Sequence, residues 1–411
     1  MRISFAAPRV SARPWRASAA AVFAALLAAC STGGGPTDVP TAAIVPPLNT
    51  DGSENRPPVK IALLLPTGGM GETAAVAKSM KRAAELALFE RNDPSVQLVT
   101  KDDGGTAAGA RAAADAAIRD GAEIILGPLF AKSVVGVAPL ARQGYVPVLA
   151  FSNDTQVAGN GIYLMSVLPE QEVDRIIAYA ALRGKRRFAA LIPDTAYGRV
   201  VELSFRRAVE RAGGSVAIVE KYPPGANGML GPAKRVVEAV RNNAAAGAPV
   251  DALFLPGGQE SLPQIGPVIA YSGLDTSRVK LLGTGAWDFP SIARDSAFVG
   301  GWYPSPDPVA WRAFAERYAK TFGSTPPRIA SVAYDAMGLA LSLSTNPPGT
   351  RFTPGNLMRK NGFAGVDGIV RFEPSGLSQR GLAVLEVQTF GATVIDPAPR
   401  SFYGTQLSSA Q

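Results

Sequence analysis

The sequence predicts an α/β fold in which parallel sheets covered by helices form two lobes. Three observations lead to this prediction. Short apolar runs alternate with helical patterns from Val59 onward, the alternation occurs in two consecutive series that meet near Pro169, and the rhythm breaks towards the C terminus. Strands that alternate with helices of this length are typical of βαβ crossovers.

The first series starts with the apolar run Val59–Leu65, as expected for a strand that is buried on both faces. A helical pattern over 71–91 follows, with an apolar stripe formed by Val76, Met80, Ala83 and Ala87. The same unit recurs, with predicted strands at 96–100, 123–126 and 146–151 and predicted helices at 106–120 and 132–143.

The second series repeats this pattern and gives a second lobe of similar build. Its predicted helices are 170–183, 197–213, 232–246 and 261–272, and its predicted strands are 188–192, 216–220, 252–255 and 279–282. The tail then has predicted helices at 308–322 and 328–344 and strands at 368–372 and 382–390, joined by a turn at 373–376. A chain that crosses between the lobes more than once would produce such a tail.

The N-terminal segment has the pattern of an export signal. Four arginines and no acid precede or border the apolar run 17–29, which is too short for a resident membrane helix. The run ends at Cys30 and resembles a bacterial lipobox, which predicts that Cys30 is lipidated and anchors the chain in a membrane. Ser31 after the cysteine favours the outer membrane, with the inner membrane as the alternative. Residues 30–58 are rich in Ser, Thr, Gly and Pro and are predicted to form a disordered tether.

Composition excludes several kinds of chemistry. The 411 residues contain no histidine and one cysteine, so they offer no Ser-His-Asp triad, no histidine-based zinc site and no internal disulfide. Removal of the four signal arginines would lower the formal charge from +8 to +4. The basic cluster 183–187 is interpreted as a solvated loop, and no nucleic-acid partner is expected.

Ligands of open α/β sheets bind beyond the carboxyl ends of the strands, so the loops there are the candidate site. These loops are rich in glycine and small hydroxyls, which suit anion binding at helix N-termini better than proton abstraction. The candidate ligand-binding residues are Thr67, Ser133, Ser152, Asn153, Asp154, Tyr197, Glu260 and Trp287.

Enzyme signatures are weak. Neither Gly68–Gly71 nor Gly283–Gly285 has the full spacing of a dinucleotide-binding loop, and no phosphate loop or nucleophile elbow occurs. Asp102 and Asp103 are adjacent, so on a strand their side chains would point in opposite directions. The sequence therefore predicts no enzymatic activity, no metal site and no cofactor.

Several segments, taken in order, resemble the type I periplasmic binding proteins of the leucine/isoleucine/valine-binding class. They are Val59–Pro66, Ile125–Pro128, Val146–Ser152, Asp194–Gly198, Ala333–Ala336 and Gly365–Phe372. The resemblance implies two Rossmann-like lobes joined by a three-crossover hinge. It places residues 59–167 and 283–363 in an N-terminal lobe, 168–282 and 364–395 in a C-terminal lobe, and 396–411 in a flexible tail.

Within this superfamily, Asp103–Thr106, Leu126–Phe130 and the lipobox look most like the penicillin-binding-protein activator lipoproteins. That resemblance implies a penicillin-binding protein as partner and a role in peptidoglycan synthesis. The alternative is a receptor that delivers an amino acid or a related small carboxylate to an ABC permease. The amino-acid receptors have a hydroxyl near Ala131, where the next hydroxyl here is Ser133, and they use an acid near Glu260 for the ammonium group.

Overall fold

A computed structural model of the chain describes residues 58–223, 225 and 228–402. The predicted signal, Cys30 and the tether up to residue 57 lie outside the described residues. No helix among those described is long and apolar enough to cross a membrane.

The N-terminal lobe is built on a parallel five-stranded sheet. Its strands follow the order β2-β1-β3-β4-β5, so the buried run β1 lies near the centre. The elements of this part of the chain are β1 (Val59–Leu65), α1 (Glu72–Arg91), β2 (Val96–Asp102), α2 (Ala107–Arg119), β3 (Ala122–Leu126), α3 (Ala131–Gln143), β4 (Val148–Ala150) and β5 (Ile162–Leu164). Thr106 caps α2 by accepting the N–H of Gly109, as expected for a hydroxyl at a helix N-cap.

The C-terminal lobe contains a seven-stranded sheet of order β14-β13-β10-β9-β8-β6-β7. Its first elements are α4 (Pro169–Leu182), β6 (Arg187–Pro193), α5 (Ala196–Arg211), β7 (Ser215–Tyr222), α6 (Leu230–Ala245), β8 (Ala252–Phe254), α7 (Leu262–Tyr271), β9 (Lys280–Leu282) and β10 (Trp302–Ser305). The strands from β7 to β10 are parallel, and β13 is antiparallel to both of its neighbours.

The tail returns to the first lobe and then to the second. Helices α8 (Pro308–Phe322), α9 (Ala330–Ser344) and α10 (Pro354–Leu357) precede the hairpin of β11 (Val370–Phe372) and β12 (Ser378–Arg380). Helix α9 packs on α1, and Phe363, Val370 and Phe372 join the core of the first lobe. Strands β13 (Ala383–Gln388) and β14 (Gly391–Asp396) then complete the second sheet.

The predicted α/β fold of two lobes with three crossovers is confirmed, but two predicted boundaries within it differ. The return to the first lobe was expected at 283, yet β10 pairs with β9 and β13 in the second sheet, so the chain crosses at 306–307. The last crossing was expected at 364, yet β11 and β12 belong to the first lobe and the chain crosses at 381–382. The first crossover lies at 165–168, between β5 and α4.

The segment 396–411, predicted to be a flexible tail, makes specific contacts in its described part. Asp396 ends β14 and forms an ion pair with Arg175 of α4, at 2.6 Å between Oδ2 and Nη2. The Arg371 guanidinium lies over the ring of Phe402. Residues 403–411 lie outside the description.

Candidate functional site

The topology brings the carboxyl edges of the two sheets to the same side of the hinge. The first crossover leaves the carboxyl end of β5 and enters the N-terminus of α4, which lies at the carboxyl edge of the second sheet. The second crossover leaves β10 and enters α8 in the corresponding way. The loops that follow the strands therefore face each other, and ligands of open α/β sheets bind at such edges.

Thr67 and two aspartates border this edge of the first lobe. Thr67 is partly exposed in the loop after β1. Asp102 lies so close to Gly68 that a Cβ there would approach its Oδ2 to 2.2 Å. Asp103 is buried, and its Oδ1 accepts the N–H of Gly105 at 2.8 Å. Burial, followed by the charge of Asp102, raises the pKa of Asp103 above its ordinary value.

Ser133 does not reach the interlobe face. Its side chain is 0% exposed, and its hydroxyl donates to the backbone oxygen of Thr106 at 3.5 Å. It lies on the third residue of α3 and faces α2, so it is not available to a ligand in this structure. The sequence indicated only that a hydroxyl was near the start of α3, not the side of the helix on which it lies.

Ser152, Asn153 and Asp154 follow β4 and form a tight turn. The Ser152 hydroxyl accepts the N–H of Asp154 at 3.1 Å, and Asp154 caps the 3-10 turn that follows by accepting the N–H of Gln156. Ser152 is nearly buried, whereas Asn153 and Asp154 are exposed. The turn thus presents an amide and a carboxylate to solvent at the carboxyl edge.

Tyr197 is fixed on the second lobe by bonds within that lobe. Its hydroxyl lies 3.0 Å from the Thr284 hydroxyl and 3.2 Å from the backbone oxygen of Pro256, to which it donates. Burial, followed by the charge of Glu172, raises the pKa of Tyr197, so the hydroxyl stays protonated. These bonds join the loops after β6, β8 and β9.

Glu260 is exposed at the end of the loop after β8. Its Oε1 accepts the backbone N–H of Gly258 at 3.0 Å. A Cβ at Gly258 would lie 2.9 Å from Oε2 of Glu260 and 3.2 Å from the backbone oxygen of Ala286, so glycine is needed for this close approach. The carboxylate is therefore held by its own loop and remains open to solvent.

Trp287 lies in the core of the second lobe and not at the interlobe face. It is 0% exposed, its indole N–H donates to the backbone oxygen of Leu255 at 2.9 Å, and its ring packs edge-on against Phe298. The prediction that Trp287 contacts a ligand is thus at odds with the structure. A Cβ on Gly283 would lie only 2.2 Å from the indole, which explains why glycine precedes this turn.

Sequence reasoning missed two acids of the second lobe, Glu172 and Asp288, and the charge of Glu172 acts on Tyr197. Glu172 lies in the first turn of α4, where a Cβ on Gly285 would come within 2.3 Å of its Oε1. Burial raises the pKa of Glu172 to about 8; Asp288 adds to the rise, and a hydrogen bond from Gly285 opposes it. The only signal in the sequence was that both acids directly follow a predicted crossover or strand.

The assembled face combines polar groups from the loops of both lobes. It carries amides, hydroxyls and carboxylates, and within the described residues no group of three or more acids or cysteines could hold a metal ion. Ser152, Asp154 and Glu260 accept backbone N–H groups of their own loops, and the Tyr197 hydroxyl is held by two neighbouring loops, which fixes the positions of these groups. Such fixed groups suit the recognition of a small polar ligand.

Solved structures with this fold include several transporter-associated proteins. A protein assigned to a branched-chain amino acid ABC transporter of Rhodospirillum rubrum is 22% identical, with a TM-score of 0.72 over 82% of this chain and 100% of that one. An ABC transporter substrate-binding protein from Sphaerobacter thermophilus is 21% identical, with a TM-score of 0.67 over 84% and 98%. A solute-binding protein from R. palustris in complex with benzoate is 16% identical, with a TM-score of 0.57 over 84% and 97%.

One curated relative also matches. It is an uncharacterized protein of Rickettsia prowazekii, 24% identical over 186 residues, which are 45% of this chain and 48% of the relative. The match thus spans about half the length of that relative. The model of the family described as periplasmic binding protein matches residues 58–391. With the two-lobed fold and the three crossovers, this match shows that the chain belongs to the periplasmic binding protein family and is of its type I class.

Proposed function

We propose that the chain is the solute receptor of an ABC importer and that its ligand is an amino acid or a related small carboxylate. The observation that carries this proposal is the pairing of two unlike surfaces across the hinge. The first lobe offers an uncapped helix N-terminus, and the second offers carboxylates. The relatives described above support the transport role.

The uncapped helix is α3. Its N-cap residue Phe130 provides no side-chain hydrogen bond, and the N–H groups of Ala131 and Lys132 have no acceptor within the described residues. Free N–H groups at a helix N-terminus bind carboxylates well, and the helix dipole adds to the attraction. Lys132 is exposed, and its ammonium lies 5.8 Å from the centre of the Phe130 ring, so a positive charge stands beside this end.

The second lobe would receive the ammonium group of an amino acid. Glu260 is an exposed acid there, and Tyr197 offers the face of a fixed ring. Closure of the hinge would bring this acid and the N-terminus of α3 to opposite ends of one small molecule. A zwitterion fits this distribution of charge.

The test is a thermal-shift screen of the purified chain with amino acids, benzoate-type carboxylates and neutral amides, followed by calorimetry on the hits. A specific ligand should raise the melting temperature with increasing concentration. Glu260→Gln should lower the affinity for an amino acid about 10-fold or more, because the contact with the ammonium group is lost. The affinity for a simple carboxylate should stay unchanged. Lys132→Gln should lower the affinity for both kinds of ligand.

The matched control is Lys81→Gln. Lys81 lies in the middle of α1, away from the carboxyl edge, and pairs with Glu85 of the same helix at 3.4 Å, so its removal should leave ligand affinity unchanged. A screen in which no compound of these classes shifts the melting temperature would argue against the receptor function.

A second candidate is activation of a penicillin-binding protein, the role implied by the resemblance of Asp103–Thr106 and Leu126–Phe130 to activator lipoproteins. One structural observation favours it: Ala131 has no hydroxyl, and the Ser133 hydroxyl is turned onto Thr106. The side-chain contact that amino-acid receptors make with the α-carboxylate is therefore missing. Co-purification with a peptidoglycan synthase, unaffected by Glu260→Gln or Ser152→Ala, would support this candidate.

We also propose that the chain is held on the periplasmic face of a membrane, the outer one in the first instance, through lipid on Cys30. The support is the lipobox and the family's periplasmic role. Metabolic labelling with a fatty acid should mark the wild-type chain and not Cys30→Ser, and fractionation should release the variant from the membrane. Labelling of the variant would contradict the proposal.

A further inference from the structure

Arg328 is fixed by the N-terminal lobe but reaches towards the C-terminal lobe. It precedes α9, its Nη1 donates to Oδ1 of Asp367, and the same nitrogen lies 3.0 Å from the Ser331 hydroxyl. Its guanidinium stacks over the ring of Trp311 in α8, at 4.5 Å from the ring centre. These three contacts, all with residues of the N-terminal lobe, fix the position of the positive charge of Arg328.

Asp288 is fixed in the same manner by the other lobe. It follows β9, and its Oδ2 accepts the hydroxyl of Ser305 at the end of β10, at 3.0 Å. The same oxygen lies 3.9 Å from Nε of Arg328. Within the described part of the chain, no Lys or Arg of its own lobe lies within 4.0 Å of this carboxylate.

We propose that Arg328 and Asp288 form an electrostatic latch between the lobes that favours the lobe arrangement seen here before any solute binds. Each charge is fixed in its own lobe, so rotation of the lobes about the crossovers changes the distance between the charges. The energy of the pair therefore depends on the angle between the lobes. The inference does not depend on which solute binds, because it concerns the unliganded chain.

The N-terminal half of the latch is continuous with the hinge. Asp367 lies in the turn before β11, and its N–H donates to Oδ2 of Asp335 at 3.0 Å. Arg380, fully buried at the last crossover, places Nη1 3.9 Å from that oxygen, while its Nη2 donates to the backbone oxygen of Met165 at the first crossover. Arg328 is thus tied through Asp367 to two of the three crossovers.

The expected size of the effect follows from exposure. The side chains of Arg328 and Asp288 are 33% and 41% exposed, so solvent screens the pair. Exposed pairs of this kind change an equilibrium by about 1.5- to 5-fold. Arg328 and Asp288 are therefore positioning residues, which would set solute affinity by the same factor without touching the solute.

The experiment measures the distance between the lobes in the full chain without ligand. Cys30→Ser removes the native thiol, and spin labels are placed at Gln143→Cys in the first lobe and Tyr271→Cys in the second, both exposed. Asp288→Asn keeps the shape and the acceptor for Ser305 but removes the charge. We expect it to lower the population of the lobe arrangement seen here, relative to other interlobe distances, by about 1.5- to 5-fold.

Salt provides a second readout that a purely structural role would not alter. Raising sodium chloride from about 0.05 M to about 1 M shortens the screening length to about 3 Å and should shift the wild-type distances in the same direction as the substitution does. Asp288→Asn should show little further response. The control Glu90→Gln, which removes a pair with Arg317 inside one lobe, should shift neither the distances nor their salt dependence.

The proposal is overturned if Asp288→Asn, with an unchanged melting temperature, leaves the distance distribution and its salt response equal to those of the wild type. It is also overturned if Glu90→Gln shifts the distribution as much as Asp288→Asn does. An unfolded Asp288→Asn would be replaced by Asp288→Ser, with the same expected shift.

Discussion

Glu172 shows how a residue's environment is set by segments distant in sequence. The helical pattern predicted that this acid begins α4, where a negative charge favours the helix dipole. It could not predict that Gly285 and Asp288 would close over it, since they arrive after β9. The same reason explains Trp287 and Ser133, whose partners Leu255 and Thr106 are set by tertiary packing. The roles of Ser152, Tyr197 and Glu260 as ligand contacts stay predictions; the structure places these residues after the carboxyl ends of β4, β6 and β8.

Replacing Glu172 should change how stability depends on pH. Its pKa is about 8 in the folded chain, so the folded state holds a proton that the unfolded state has released above about pH 4.5. Stability should therefore fall as pH rises from 5 to 9, by about 2–4 kcal/mol for this group. Glu172→Gln should remove that fall, as measured by urea unfolding at each pH.

The matched control is Glu85→Gln, since the Glu85 side chain is exposed and pairs with Lys81 one turn away. It should keep the wild-type slope. An unchanged slope in Glu172→Gln would show that this carboxyl is ionised at neutral pH, contrary to the expectation.

Long helices and buried parallel strands were predictable, and the short late strands were not. The predicted helix over 308–322 matches α8 at both ends, and the other long helices agree within about two residues. Strand β10 was not predicted, because Gly300, Gly301 and Pro304 indicate a loop. In the structure this strand lies inside the second sheet. Strands β5 and β12 have three residues each, too few for a recognisable period.

The contact between α2 and α3 depends on a glycine. A Cβ at Gly136 of α3 would lie 2.1 Å from the backbone oxygen of Ala107 in α2, so Gly136→Ala must push the helices apart. We expect a loss of about 1–3 kcal/mol in the free energy of unfolding. Gly338→Ala in α9 is the control, since nothing lies within 4 Å of the added Cβ. This variant should raise the free energy of unfolding by up to about 1 kcal/mol, because alanine favours a helix over glycine. Chemical denaturation of both variants measures whether the free energy of unfolding changes in opposite directions. Equal changes would contradict the packing argument.

The two lobes of the whole molecule were predictable from two series of βαβ units, but the places where the chain changes lobe were not. Crossover positions depend on which strands pair, and the pairing of β10 with β13 joins residues that the sequence pattern does not relate. The buried group at the last crossover, Arg380, likewise gains its partners Asp335 and Met165 only from the assembled hinge.

Arg380→Met should destabilise both lobes together. It leaves Asp335 buried without its opposite charge, and breaking a buried pair on one side costs about 3–5 kcal/mol. Adding Asp335→Asn should recover part of this loss, because the uncompensated charge is removed. Calorimetric unfolding of the single and double variants tests this; a single variant within about 1 kcal/mol of wild type would refute it.

Each lobe draws its chain from two separate stretches, and this has a consequence for folding. The first lobe holds β1 to β5 but also α8, α9 and β11, which are made only after almost the whole second lobe. The apolar side of α1 therefore stays uncovered until α9 has been synthesised. The many contacts between residues distant in sequence also slow folding. A fragment that ends at residue 305 would leave Met80 and Ala84 of α1 without the cover of α9. The chain must consequently be kept from aggregating until its last hundred or so residues are available.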